Sequence, residues 1–105
     1  MDKREAIKIA KRYADIVSRH YNVKKVIMFG SYAKGTYRED SDIDLAIILN
    51  SVDDLFKIQV ELMKLRTDDD LLIEPHPFDS SDFSPSDPTI SEILKNGIEI
   101  IDYAA

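Results

Sequence analysis

Two apolar runs, each joined to a polar motif, place the strongest constraint on how this chain can fold. The first run, residues 26–29 of a predicted strand over 25–29, leads directly into a Gly-Ser pair, and the second, residues 43–49, begins within an Asp-x-Asp motif. Apolar runs of this length without alternation are typical of strands buried on both faces. We therefore predict two buried strands, one ending in a glycine–serine turn and the other starting with paired carboxylates.

The rest of the chain alternates helical and extended patterns. The further elements that we predict are helices over 2–19, 51–66 and 88–96, one helical turn over 31–35, and strands over 71–78 and 98–103. This order, α-β-α-β-α-β-α-β, predicts an α/β (α+β) fold in which helices flank a small mixed sheet. Two prolines in the strand over 71–78 place it at a sheet edge or end it early.

Composition narrows the class of protein. The 105 residues are 44% hydrophobic, which suits one domain over residues 1–105. The net charge of −6 argues against direct nucleic-acid binding, because that affinity comes largely from cations that neutralise phosphates. There is no cysteine, no apolar run near the roughly 20 residues of a membrane helix, and no apolar signal segment at the N-terminus. We expect a cytoplasmic protein with no membrane partner.

Gly30 and Ser31 form a candidate anion-binding turn after the first strand. Glycine lets the backbone turn sharply and lets a ligand approach closely. The N–H groups of the following turn and the Ser31 hydroxyl can then donate to a phosphate. Lys34 and Arg38, in the loop beyond, are candidates to neutralise phosphate charge, although a solvated role is commoner for such residues. Alone, a Gly-Ser pair also fits an ordinary turn.

Asp42 and Asp44 form a candidate metal site at the start of the second strand. Side chains two residues apart on a strand point the same way, roughly 6.5–7 Å apart. Both carboxylates can then lean onto one cation, or bridge two Mg²⁺ ions about 3.5–4 Å apart. An isolated Asp-x-Asp is also compatible with solvated acids at the start of a strand.

The spacing of the two motifs resembles a known family. Gly30-Ser31, ten residues and then Asp42-x-Asp44 is similar to the signature of the nucleotidyltransferase superfamily that includes DNA polymerase beta. The fuller run, GSYAKGTYREDSDIDL, resembles minimal nucleotidyltransferase (MNT) proteins, which are typically antitoxin partners of HEPN-domain toxins. The resemblance is dense over residues 26–49 and looser elsewhere.

The resemblance implies a nucleotidyltransferase fold and a metal-dependent reaction. AMP would pass from ATP to a tyrosine hydroxyl of the HEPN toxin, as in a type VII toxin–antitoxin pair. Ser31 and the N–H groups after Gly30 would hold the triphosphate, and Asp42 and Asp44 would hold Mg²⁺, with two ions expected. A third carboxylate on a later strand would complete the metal site and help to deprotonate the acceptor.

Glu74 is the third carboxylate that we predict. It shares a strand face with His76, whereas Leu71 and Ile73 are predicted to face the core. A lone Glu in this apolar setting is costly unless something satisfies it. The superfamily often has Asp here, so the role of the longer Glu as a base is less well defined than its role as a ligand. The aspartates at 68–70 are rivals, but such a charge run is more often a solvated connector.

Two other functions stay open at this point. A binding module would neutralise a toxin by occlusion, without catalysis. A small-molecule nucleotidyltransferase, of the kind that modifies aminoglycosides, usually has an additional helical domain, for which 105 residues leave no room. It would have to borrow its acceptor pocket from another subunit.

Overall fold

A computed structural model describes residues 1–103 of the chain. Its helices are α1 (Lys3–His20), α2 (Ser31–Lys34), α3 (Leu55–Lys64) and α4 (Pro88–Asn96), and its strands are β1 (Val23–Phe29), β2 (Ile43–Leu49), β3 (Ile73–Asp79) and β4 (Ile98–Asp102). Two short 3-10 turns, Asp68–Asp70 and Ser80–Asp82, flank β3. The predicted alternation of helices and strands is confirmed. Within this described part of the chain, no helix is both long and apolar enough to cross a membrane.

The four strands form one mixed sheet in the order β3-β2-β1-β4. β1 runs antiparallel to both β2 and β4, whereas β2 and β3 are parallel. The predicted strand over 25–29 is therefore a central strand. β3, which contains Pro75 and Pro77, is an edge strand, as its prolines indicated.

The two faces of the sheet are covered unequally. Val26, Met28, Leu45 and Ile47 belong to the larger core, which also contains the buried faces of α1 and α3. The opposite face carries a smaller cluster of Ile27, Ala46, Ile48 and, from α4, Ile93. Burial on both sides explains why residues 26–29 of β1 and 45–49 of β2 are apolar without alternation.

The start of α3 differs from the prediction. We expected a helix from Ser51, but the helix begins at Leu55, and Asp54 is its N-cap, accepting from the N–H of Lys57 at 3.1 Å. The N–H of Val52 donates instead to Asp79, at the end of β3, at 3.0 Å. This bond fixes the preceding segment to the sheet edge, and Leu55, the first residue of α3, is exposed.

The predicted solvated connector is wrong for Asp70, whose side chain is fully buried. Its Oδ1 accepts from Nη2 of Arg12 at 3.1 Å, and its Oδ2 accepts from the Thr67 hydroxyl at 2.8 Å. Asp68 is exposed, and the side chain of Asp69 lies outside the described part of the chain. Leu71, which we expected in the core, is 62% exposed because β3 begins two residues later.

Candidate active site

Gly30 turns the chain directly beside Asp44. It follows β1 with φ 75° and ψ −150°, a combination that is almost restricted to glycine. A Cβ placed on Gly30 would overlap Oδ2 of Asp44, so only glycine lets the turn lie this close to the carboxylate. Ser31 then begins α2, and the left-handed Gly35 ends it, as predicted.

The register of the sheet brings Asp44 and Glu74 together. Asp44 lies opposite Phe29 on β1 and opposite Glu74 on β3. Directly opposite residues on neighbouring strands point to the same face, so both carboxylates are on the less covered face of the sheet. The Asp44 side chain is 28% exposed, and Glu74 is exposed. Asp42 is also exposed, immediately before β2.

His76 orients Asp44 from the other side. Its Nε2 lies 3.2 Å from Oδ1 of Asp44, and its ring centroid is 5.1 Å from that of Phe29. One oxygen of Asp44 thus faces the imidazole, while the other faces the Gly30 turn. Sequence reasoning left the role of His76 open. The signal that was available is its position two residues after Glu74, on the same face of β3.

Lys34 and Arg38 lie in different settings. Nζ of Lys34 is 3.1 Å from Oε1 of Glu92 on α4, so this predicted phosphate ligand is paired with a carboxylate. Arg38 is exposed in the loop before Asp42, and its backbone N–H donates to the Ser41 hydroxyl at 2.6 Å. Nothing in the sequence indicated the partner of Lys34, because Glu92 is remote along the chain.

A groove of about 430 Å³ opens beside Gly30, between α2 and α4. Phe29 and Ile93 contribute apolar surface to it, and Lys34 and Glu92 contribute charge. The groove lies on the β1 side of Asp44, whereas Glu74 and His76 lie on its β3 side. A ligand in the groove could therefore reach the Gly30 turn without covering the β3 side of the carboxylate.

The carboxylates fit a magnesium ion that is shared with a phosphate. Among the described side chains, which leave out Asp69, no group of three His, Cys, Asp or Glu is close enough to hold a metal, so Asp42, Asp44 and Glu74 do not form a ready-made site with three carboxylates. Mg²⁺ usually keeps several waters and takes only one or two carboxylates together with substrate phosphates. Asp42, Asp44 and Glu74 offer oxygen ligands of the required kind, and the bare Cα of Gly30 leaves room beside Oδ2 of Asp44.

Comparison with known sequences places these features in a family. The family model described as "Nucleotidyltransferase domain" matches residues 10–100. Two relatives from Methanocaldococcus jannaschii carry the provisional name protein adenylyltransferase. One is 44% identical over 43 residues, 39% of this chain and 43% of the relative. The other is 35% identical over 77 residues, 68% of this chain and 77% of the relative. The chain thus spans less than half of the first relative's length.

Solved structures share the fold. A structure described provisionally as a nucleotidyltransferase from Sulfolobus solfataricus covers 96% of this chain and 84% of its own, with a TM-score of 0.72 and 18% identity. A toxin–antitoxin structure with AMP-PNP covers 88% of this chain and 73% of its own, with a TM-score of 0.60 and 18% identity. Identities this low establish the fold alone. The family match extends over both motifs and most of the chain, and the chain therefore belongs to the nucleotidyltransferase-domain family.

Proposed function

We propose that this chain is a Mg²⁺-dependent protein adenylyltransferase. It transfers AMP from ATP to a tyrosine hydroxyl of a partner HEPN-domain toxin and acts in the cytoplasm as the antitoxin of a type VII pair. The observation that carries the proposal is the position of Asp44, which lies against the Gly30 turn and opposite Glu74. The names of the relatives support AMP transfer, and the toxin–antitoxin neighbour with AMP-PNP supports a toxin as the acceptor.

The residues divide into a phosphate side and an acceptor side. Ser31 and the N–H groups after Gly30 hold the triphosphate, and Lys34 and Arg38 neutralise part of its charge. Glu74 lies across Asp44 from this turn, so the acceptor approaches from β3. We take the entering hydroxyl and the departing pyrophosphate to lie on opposite sides of the α-phosphorus, because in-line displacement requires it.

In the transfer step, the tyrosine oxygen forms a bond to the α-phosphorus while the bond from that phosphorus to the bridging oxygen breaks. Pyrophosphate leaves, and the hydroxyl proton passes to the Glu74 carboxylate. His76 keeps Asp44 in place through the 3.2 Å contact. Asp42, Asp44 and Glu74 would hold two Mg²⁺ ions between them, each ion shared with the phosphates and taking only one or two of these carboxylates, and the ions would supply the charge neutralisation that the triphosphate and the leaving pyrophosphate need.

The test is label transfer from α-labelled ATP to a HEPN-domain partner in the presence of Mg²⁺. We expect the wild type to label a tyrosine, and Asp42→Ala/Asp44→Ala to lose several orders of magnitude in rate, because this chemistry rests on charge neutralisation and positioning. Asp53→Ala/Asp82→Ala is the matched control, because these two exposed carboxylates follow the last residues of β2 and β3, whereas Asp42, Asp44 and Glu74 lie where these parallel strands begin. No transfer by the wild type, or equal transfer by the site variant, would refute the proposal.

A second candidate function, neutralisation by occlusion, is favoured by exposed apolar side chains on α3. Phe56 is 79% exposed, and Leu55 and Met63 are also exposed. Large apolar side chains on a surface helix are suited to a protein partner. If toxin inhibition survives Asp42→Ala/Asp44→Ala but is lost in Phe56→Ser, binding rather than AMP transfer is the basis of neutralisation.

A further inference from the structure

Lys34 and Glu92 join two helices across the groove beside Gly30. Lys34 is the last residue of α2, Glu92 lies within α4, and both line the groove together with Gly30. Their charged atoms are 3.1 Å apart. Lys34, the lysine of α2, is therefore paired across the groove with a carboxylate of α4.

We propose that Glu92 is a positioning residue that competes with the nucleoside triphosphate for Lys34. Binding of the triphosphate opens the Lys34–Glu92 pair, and the Lys34 ammonium passes from the carboxylate to the phosphates. Glu92 thereby sets how tightly the triphosphate is held. This inference rests on the proposed function, because it takes the Gly30 turn as the triphosphate site.

Asn96 stabilises the charged form of the Glu92 carboxylate. Its Nδ2 donates to Oε1 of Glu92 at 2.9 Å, one helical turn along α4, and this oxygen is also the one that faces Lys34. The hydrogen bond from Asn96 and then the Lys34 ammonium lower the pKa of Glu92 below its ordinary value. The carboxylate is thus charged at neutral pH, and Asn96 still satisfies it after Lys34 departs.

The exposure of the pair makes the exchange easy. The side chains of Lys34 and Glu92 are 50% and 49% exposed, and ion pairs in water-accessible positions are weak. A triphosphate carries more negative charge than one carboxylate, so it is the stronger partner for the ammonium. Glu92 also repels the triphosphate while it stays charged near the turn.

The experiment measures the dissociation constant of AMP-PNP by calorimetry in the presence of Mg²⁺. We expect Glu92→Gln to bind AMP-PNP about two- to fivefold more tightly than the wild type, the range that an exposed ion pair can supply. Glu99→Gln is the matched control, because Glu99 is an exposed β4 residue whose partner Lys25, at 3.9 Å, lies away from the groove. A gain in affinity is a result that damage to the structure cannot produce.

A double substitution tests whether the effect passes through Lys34. In a Lys34→Gln background, we expect Glu92→Gln to change the dissociation constant far less than it does alone. Unchanged or weaker binding by Glu92→Gln, an equal gain in Glu99→Gln, or a full gain without Lys34 would each overturn the inference and leave the proposed function standing. If the wild type and every variant fail to bind AMP-PNP with Mg²⁺, the proposed function falls and the inference falls with it.

Discussion

Substitution of Gly30 by alanine tests the geometry on which the site depends. Gly30 has φ 75° and ψ −150°, and the new Cβ would overlap Oδ2 of Asp44. Relief of this overlap requires Asp44 to move away from the turn, which also breaks its 3.2 Å contact with His76. Gly35→Ala is the matched control, because Gly35 has φ 80° and nothing lies within 4 Å of its added Cβ.

The two variants separate backbone strain from the displacement of Asp44. A left-handed alanine costs about 1–2 kcal/mol, so Gly35→Ala should lower the free energy of unfolding by that amount. The ψ value of Gly30 lies in a region that is nearly closed to other residues, at about 1–3 kcal/mol, and the overlap with Asp44 adds to this. We expect Gly30→Ala to cost at least about 1 kcal/mol more than Gly35→Ala, or roughly 4–8 °C in Tm.

Urea unfolding and AMP transfer give the two readouts. Gly35→Ala should lose stability and keep its transfer rate, whereas Gly30→Ala should lose both, with transfer reduced to the level of Asp44→Ala. If Gly30→Ala matches Gly35→Ala in stability and transfers AMP normally, the turn does not lie against the carboxylate. The assignment of the site would then be wrong.

Three further substitutions test contacts that stabilise other parts of the fold. Asp70→Ala should lower the free energy of unfolding by about 2–3 kcal/mol, because it removes a buried carboxylate bonded to Arg12. Substitution of the exposed Asp68 by alanine should change the free energy of unfolding little, and equal losses in the two variants would refute this reasoning. Burial and the hydrogen bond to Glu61 raise the pKa of Tyr21 to about 12, so the wild type should lose stability between pH 10 and 12 in urea titrations. If a Tyr21→Phe variant loses as much stability over this range, ionisation of Tyr21 is not the cause. Hydrogen bonds from Ser81 and Val52 lower the pKa of Asp79, so its stabilisation is present above the ordinary Asp pKa and is lost as pH falls through the lowered value. Asp79→Asn should therefore lose less stability than the wild type over this acid range in urea titrations, and an equal loss would refute the link.

Local signals in the sequence were enough for most of the elements. Asp2 accepts from the N–H of Glu5 at 2.9 Å and caps α1, which begins within one residue of the predicted start. Asp87 caps α4, which begins at Pro88 as predicted, and Gly97 follows its last residue. Such caps act within one helical turn, so a short stretch of sequence contains all the information that they need.

Contacts between distant segments could not be predicted in the same way. The Arg12–Asp70 pair joins residues that are 58 positions apart, and the surrounding aspartates made Asp70 resemble a solvated residue. The Asp44–Glu74 register depends on β3 pairing in parallel with β2, which the order of the elements does not fix. The sequence therefore predicted candidate residues for the chemistry, which stay a prediction, but the pairing of Lys34 with Glu92 required the structure.

One face of the sheet is covered less than the other, and the acidic side chains of the candidate site lie there. We expect these side chains to serve function without stabilising the fold. The larger core, under α1 and α3, holds most of the buried side chains, whereas Asp42 and Glu74 are exposed near the less covered face. These carboxylates add like charges beside Asp44 in a chain of net charge −6, which opposes folding unless a cation is bound. We therefore expect Glu74→Gln to abolish AMP transfer while its free energy of unfolding stays within about 0.5 kcal/mol of the wild type or rises. A clear loss of stability in urea would instead show that Glu74 makes a structural contact, and its place at the site would then have to be reconsidered.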